Sequence, residues 1–204
     1  MKFFLKDLLN VPNTMSLFRV FMAPIMFIFW LGLDWCVAGL ALGTAIGLTD
    51  ALDGWVARKL NQTTELGGII DQLGDLVFES TGLLIALLVG GLWSGILIIY
   101  LTREFTVMVV RAYVLSKGGS LPSSTLGKAK SSCIQWAFFF FFLGVILMKD
   151  GVLPQSWSMV GISPGLVLLW IGKASIILGI TLGIITAISY LKVFVNVYVE
   201  EAQN

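Results

Sequence analysis

The chain has 204 residues, 57% of them hydrophobic and only 12% charged, with a formal net charge of +1 and no histidine. Soluble domains carry about twice that charged fraction, and one core cannot bury this much apolar surface, so the composition predicts a chain solvated by lipid. It excludes an overall basic field for nucleic acid. Without histidine it also excludes Ser-His-Asp and Cys-His catalysis and any histidine-liganded zinc, leaving acid–base work to carboxylates or lysines. Cys36 and Cys133 sit in apolar stretches at no metal-ligand spacing and read as buried small residues.

At the N-terminus, Lys2, Lys6 and Asp7 interleave with Phe3, Phe4, Leu5, Leu8 and Leu9. No small-residue cleavage site follows before Arg19, so residues 2–9 predict a short interfacial helix ending near Val11-Pro12-Asn13 rather than a cleaved signal peptide. Hydrophobic spans follow at residues 17–33, 37–58, 67–89, 93–115, 130–149 and 166–195, each long enough for the ~20 residues a bilayer core demands. The predicted fold is therefore all-α, a polytopic membrane protein with six transmembrane helices in a single domain over residues 1–204.

Orientation follows from the basic residues. Lys2, Lys6, Arg19, Arg58, Lys59, Lys117, Lys128, Lys130 and Lys192 gather on one side, and Lys149 stands nearly alone on the other. Positive-inside logic places both termini and the loops 59–66 and 116–129 in the cytoplasm. Residues 150–165 become an external loop, and Trp30, Trp35, Trp93 and Trp157 are expected at the external interface. Gly39, Gly43 and Gly47 on the second span, and Gly179 and Gly183 on the sixth, recur at a step that lets helices approach closely. Packing within the chain is the favoured use of these stripes, and a homodimer face is the alternative.

The chemistry concentrates between Leu48 and Glu79, which reads LTDALDGWVARKLNQTTELGGIIDQLGDLVFE. Asp50 and Asp53 are three apart, and Asp71 and Asp75 four apart, so each pair shares a helix face. The polar link from Arg58 to Leu66 is short, which predicts an antiparallel hairpin with all four carboxylates at its cytoplasmic end. An aspartate at the centre of a membrane helix costs roughly 2.5–3.5 kcal/mol on insertion scales. Nearer the end it costs less, but four together repel, and Asp50 and Asp53 approach a helix C-terminus whose dipole disfavours them. Arg58 alone does not offset that. All-oxygen ligands suit hard cations, Mg²⁺ or Mn²⁺, and four carboxylates balance two such ions. Gly54 and Gly67 fit a backbone that a ligand approaches closely, and Arg58 fits a phosphate clamp.

These residues resemble the CDP-alcohol phosphotransferase family, whose signature runs D-x2-D-G-x2-A-R-x8-G-x3-D-x3-D. Asp50, Asp53, Gly54, Ala57, Arg58, Gly67, Asp71 and Asp75 meet every fixed position and every gap. The resemblance implies transfer of a substituted phosphate from a CDP-linked donor to an alcohol, with release of CMP. It implies that Asp50, Asp53, Asp71 and Asp75 bind metal and that Asp75 is also the general base. It further implies that Asp50, Gly54, Ala57, Arg58 and Gly67 border the CDP moiety, at the cytoplasmic face of a bacterial-type inner membrane.

Other segments resemble the phosphatidylglycerophosphate synthase branch. Pro12-Asn13 through Ser16 to Arg19 is similar to its PN-x-x-T-x-x-R entry, with serine for threonine. Arg103-Glu104 followed by Arg111, Gly127-Lys128-Ala129-Lys130-Ser131 and Gln135 are similar to further patterns of that branch. This implies CDP-diacylglycerol and glycerol 3-phosphate as substrates. Arg111, Lys128 and Lys130 are then candidates for the acceptor phosphate, with Arg103 as a further candidate. Glu79 is expected to pair with Arg103 or Arg111, and Lys173 to snorkel. The chain departs from the branch at Gln72, where proline is usual, and at Leu76, where lysine is usual. Another polyol phosphate, or phosphatidylglycerol, therefore stands as an alternative acceptor. A divalent-cation transporter is the alternative of a different class, although no inverted repeat supports it.

Overall fold

The structure is a computed structural model, and it describes residues 11–59, 65–117, 125–149 and 163–202. Within these helices the side chains at 11–13, 50–59, 65–66, 125–126, 128, 197 and 200–202 lie outside the described residues. The expected interfacial helix at 2–9 and Trp157 lie outside them as well. The described residues form α-helices and no strand. They are α1 (Val11–Phe27), α2 (Cys36–Lys59), α3 (Glu65–Gly90), α4 (Ser94–Ser116), α5 (Thr125–Lys149) and α6 (Pro164–Ala202).

Four of the helical stretches are long and apolar enough to cross a membrane: Thr14–Gly32, Gly67–Gly90, Ala129–Lys149 and Pro164–Asn196. The apolar stretch recognised in α2, Cys36–Thr49, is shorter. The outer surface agrees with lipid solvation, because Phe21, Val37, Val109 and Trp170 are each more than 60% exposed. The protein is thus an integral membrane protein built from helices. At 39 residues, α6 would run about 58 Å at ~1.5 Å per residue, well past a hydrocarbon core of ~30 Å.

Helix α1 carries Pro24, which has no N–H for the helical ladder. The helix then widens into a π-helical turn, Ile28–Gly32, where Leu33 N–H donates to Ile28 O at 2.9 Å. Asp34 takes a left-handed φ of 57° and reverses the chain into α2. Its carboxylate pairs with Lys149 at the end of α5. That hydrogen bond, helped by Cys36, holds Asp34 below the ordinary carboxylate range. A depressed carboxyl favours the fold above its unfolded value and loses the contribution as pH falls through its folded one, and the exposure of the pair keeps the effect small. Trp35 and Trp93 are exposed, as interfacial aromatics would be. Trp30 differs from expectation: it is 3% exposed, because it packs over Gly39 and against Phe142 at 4.7 Å between ring centroids.

Among the described residues, α1 makes extensive contact with both α2 and α3. The expected hairpin arms therefore share α1 as the helix each packs against. Small residues set these distances. A Cβ at Gly39 would lie 2.5 Å from the Trp30 ring, and one at Gly43 would lie 2.8 Å from Met26 Sδ. On the other side, Gly82 accepts the Phe138 ring and Gly179 accepts Ile134. Gly39, Gly43 and Gly179 of the two stripes thus serve packing within the chain.

The most extensive contact joins α5 and α6. Here glycine permits backbone to meet backbone. A Cβ at Gly172 would stand 2.6 Å from Phe141 Cα, and one at Gly144 would stand 2.6 Å from Leu169 N. The main core gathers Phe138, Phe141, Phe142, Leu83, Ile85 and Ile176 around this pair. A second cluster joins Val107, Val110 and Val114 of α4 to Ala187 and Tyr190 of α6. Gly172→Ala should therefore force α5 and α6 apart, at a cost of about 1–3 kcal/mol. Gly68→Ala, at a position where no atom lies within 4 Å, should be neutral or slightly stabilising. Thermal melts of both variants in detergent check this contrast, and equal melting temperatures would contradict it.

Candidate active site

Asp71 and Asp75 lie one turn apart in the first half of α3. Their side chains are 49% and 29% exposed, so both carboxylates reach the surface in part. Behind them lies Arg19 of α1, whose side chain is 1% exposed. Its Nη1 donates to Asp75 Oδ1 and, at 3.4 Å, to Asp71 Oδ1. Ser16 Oγ donates to the same Asp71 oxygen at 3.3 Å. Between the aspartates Gly74 is buried, and a Cβ there would meet Ser16 O at 3.0 Å. The backbones of α1 and α3 thus come together at the acidic turn.

Asp50, Asp53, Gly54, Ala57 and Arg58 lie in the second half of α2, and their side chains fall outside the described residues. So does the side chain of Lys128. Gly67 lies one turn before Asp71 on α3 and is partly buried. Among the described residues no cluster of three metal-ligating side chains is present. Asp71 and Asp75 are the described half of the expected set. Their oxygens suit a hard cation, and the guanidinium already lodged between them shows that this turn of α3 accommodates positive charge.

Arg111 of α4 donates from Nη1 to Gln72 Oε1 at 3.2 Å. Gln72 directly follows Asp71, so the contact brings Arg111 to the same turn of α3. Lys130 takes a different position. It is buried on α5, and its amine donates to Glu79 Oε2 at 2.7 Å and to Glu104 Oε1 at 2.8 Å. Arg103 pairs with Glu104 beside it and donates from Nε to Gly183 O at 2.9 Å. Glu79 therefore pairs with Lys130, not with Arg103 or Arg111 as expected. The network joins α3, α4, α5 and α6 one turn beyond Asp75, and Lys130 also lies over the Tyr100 ring at 5.2 Å. Two cations and two carboxylates cancel, which is how apolar helices tolerate them. At the opposite end Lys173 lies over the Trp170 ring at 5.3 Å.

A cavity of ≈ 390 Å³ opens on the face where α1, α2, α3 and α5 meet. Its walls are mostly apolar, including Met26, Gly43, Phe78, Trp136 and Phe139, with Thr44 and Gln135 as polar groups. It reaches Gly47 and Leu48 on α2, within one turn of Asp50. Sequence reasoning passed over this groove because its lining is dispersed over four helices. The glycines at a four-residue step were its one visible sign.

The buried network makes a thermodynamic prediction. Lys130→Met leaves two buried carboxylates without their shared cation and should cost about 3–5 kcal/mol. Adding Glu79→Gln should recover part of the loss. A double-mutant cycle on thermal melts measures the coupling, and strictly additive effects would contradict the pairing.

The CDP-alcohol phosphatidyltransferase family profile matches residues 9–198. Curated relatives carry the name CDP-diacylglycerol–glycerol-3-phosphate 3-phosphatidyltransferase. One from Bacillus subtilis (strain 168) is 31% identical over 136 residues, 60% of this chain and 70% of the relative. One from Aquifex aeolicus (strain VF5) is 31% identical over 147 residues, 71% of this chain and 77% of the relative. One from Escherichia coli (strain K12) is 26% identical over 165 residues, 74% of this chain and 91% of the relative. The profile match takes in five of the described helices whole, most of α6 and the complete acidic signature, so the chain belongs to the CDP-alcohol phosphatidyltransferase family.

Proposed function

We propose that this chain transfers the phosphatidyl group of CDP-diacylglycerol to glycerol 3-phosphate, giving phosphatidylglycerophosphate and CMP. The names of the relatives support both substrates. The observation that carries the reading on this chain is the contact between Arg111 and Gln72. It puts a permanent cation on the turn of α3 that carries Asp71, where a phosphorylated acceptor needs one and a neutral alcohol does not. Gln72, a departure from the usual proline, gains a reason in this contact. Leu76, the other departure, is buried in the core.

Asp50, Asp53, Asp71 and Asp75 would hold Mg²⁺ or Mn²⁺, in our reading two ions. Bound there, the metal would neutralise the pyrophosphate and the charge growing on the departing CMP. Asp75 takes the proton of the acceptor hydroxyl. That oxygen forms a bond to the phosphorus carrying the diacylglycerol, and the bond from this phosphorus to the bridging oxygen breaks, leaving CMP. Gly54, Ala57, Arg58 and Gly67 border the cytidine diphosphate. Arg111 and Lys128 meet the acceptor phosphate, and Lys130 supports the site through Glu79 and Glu104. The apolar cavity by Gly47 lets an acyl chain stay out of water while the nucleotide stays wet.

We also read α2 and α4 as membrane spans, which makes six. Both helices exceed 20 residues, and the buried Glu104 of α4 meets Lys130 and Arg103, away from lipid. The basic flanks support an active edge in the cytoplasm of a bacterial inner membrane.

Two variants test the reading. Arg111→Gln should raise the apparent KM for glycerol 3-phosphate at least about tenfold, the worth of a charge-assisted hydrogen bond. The KM for CDP-diacylglycerol should stay within about twofold. Equal rises for both substrates would count against this acceptor. Asp75→Asn should lose CMP release by roughly 10²–10⁴-fold, while CDP-diacylglycerol still raises its melting temperature. Near-normal turnover in Asp75→Asn would remove it as the base.

A further inference from the structure

Arg19 lies outside the eight signature positions, and the transfer chemistry above gives it no task. It is nevertheless among the most buried large side chains in the protein. It is the sole charged residue in α1. A guanidinium is not deprotonated in proteins, so a buried one must be met by negative charge or left uncompensated. Here the charge comes from the two aspartates of α3, with one nitrogen serving Oδ1 of both. Ser16, one turn earlier on α1, steadies the Asp71 end. Gly74 lets α1 seat against this turn, and its missing Cβ would lie 3.7 Å from both Arg19 Cβ and Cδ. Five residues on two helices thus form one unit around the acidic pair.

We propose that Arg19 is a positioning residue of the transfer site, an internal counter-cation that holds Asp71 and Asp75 in place while the divalent ion is absent. The proposal rests on the metal-binding part of the reading above. Like charges one turn apart on a helix repel. With Arg19 present, that repulsion is already relieved before metal arrives. Without it, the ion supplies more of the relief, so metal binding and folding are coupled more strongly. A residue with a purely packing role would lower stability equally with and without metal.

The test uses the full chain in detergent, melted in chelator and in Mn²⁺ alone, for wild type, Arg19→Gln and Arg19→Lys. Arg19→Gln should melt below wild type in chelator, and Mn²⁺ should raise its melting temperature by about 2–4 °C more than it raises wild type. Arg19→Lys should fall between, because one ammonium replaces a planar fork. A Mn²⁺-induced rise in Arg19→Gln equal to or smaller than that of wild type overturns the proposal. If Arg19→Gln yields no folded protein, Arg19→Lys decides: a rise above wild type supports the role, and an equal or smaller rise overturns it. No substrate enters these melts. Failure of CMP release would therefore sink the transfer reading and leave the melting comparison to judge Arg19 separately.

Discussion

Acidic side chains cannot stand close together at the edge of a bilayer without nearby positive charge, and the arrangement of this protein follows from that constraint. Asp71 and Asp75 share one face of α3, and the chain brings a buried guanidinium from α1 to meet them. To do so α1 must sit directly against α3, which Gly74 permits. Placing α1 there makes it the helix on which α2 also packs, through Gly39 and Gly43. Helix α2, which carries Asp50 and Asp53 further along, thereby packs on the same helix as α3.

The same logic operates one turn deeper. Glu79 continues the face of Asp71 and Asp75 into the apolar interior, where it meets Lys130, and through Lys130 it is tied to Glu104 and Arg103. Single buried ion pairs contribute little net stability, but breaking one is costly. The network therefore makes the position of α3 relative to α4, α5 and α6 hard to change. The transfer proposed for this site needs that rigidity, since small misplacements of reacting groups cost much of the rate.

Much of this was legible in the sequence. Six apolar segments predicted helices that the structure finds at nearly the same places, because hydropathy over some 20 residues is a local property. The aspartate spacings and the signature were local too, and they were enough to identify the family. The partners were harder to read. Arg19 looked like a positive-inside flank, and only a fold that brings residues 52 and 56 positions apart together reveals its pairing. Lys130 looked like an acceptor ligand because a basic residue near a span end reads the same whether it faces water or a carboxylate. Its partner Glu79 lies 51 positions away. Trp30 read as interfacial from its place near a span end, yet the glycine that buries it is on the next helix.

The central claim is metal-dependent phosphatidyl transfer to a phosphorylated alcohol. The most direct measurement is lipid product analysis on the purified chain in vesicles containing CDP-diacylglycerol, supplied with glycerol 3-phosphate, inositol phosphate, serine or phosphatidylglycerol, in Mn²⁺ or in chelator. Phosphatidylglycerophosphate should accumulate with stoichiometric CMP only when glycerol 3-phosphate and Mn²⁺ are both present. Product from serine or phosphatidylglycerol in place of glycerol 3-phosphate, or undiminished product in chelator, would contradict it.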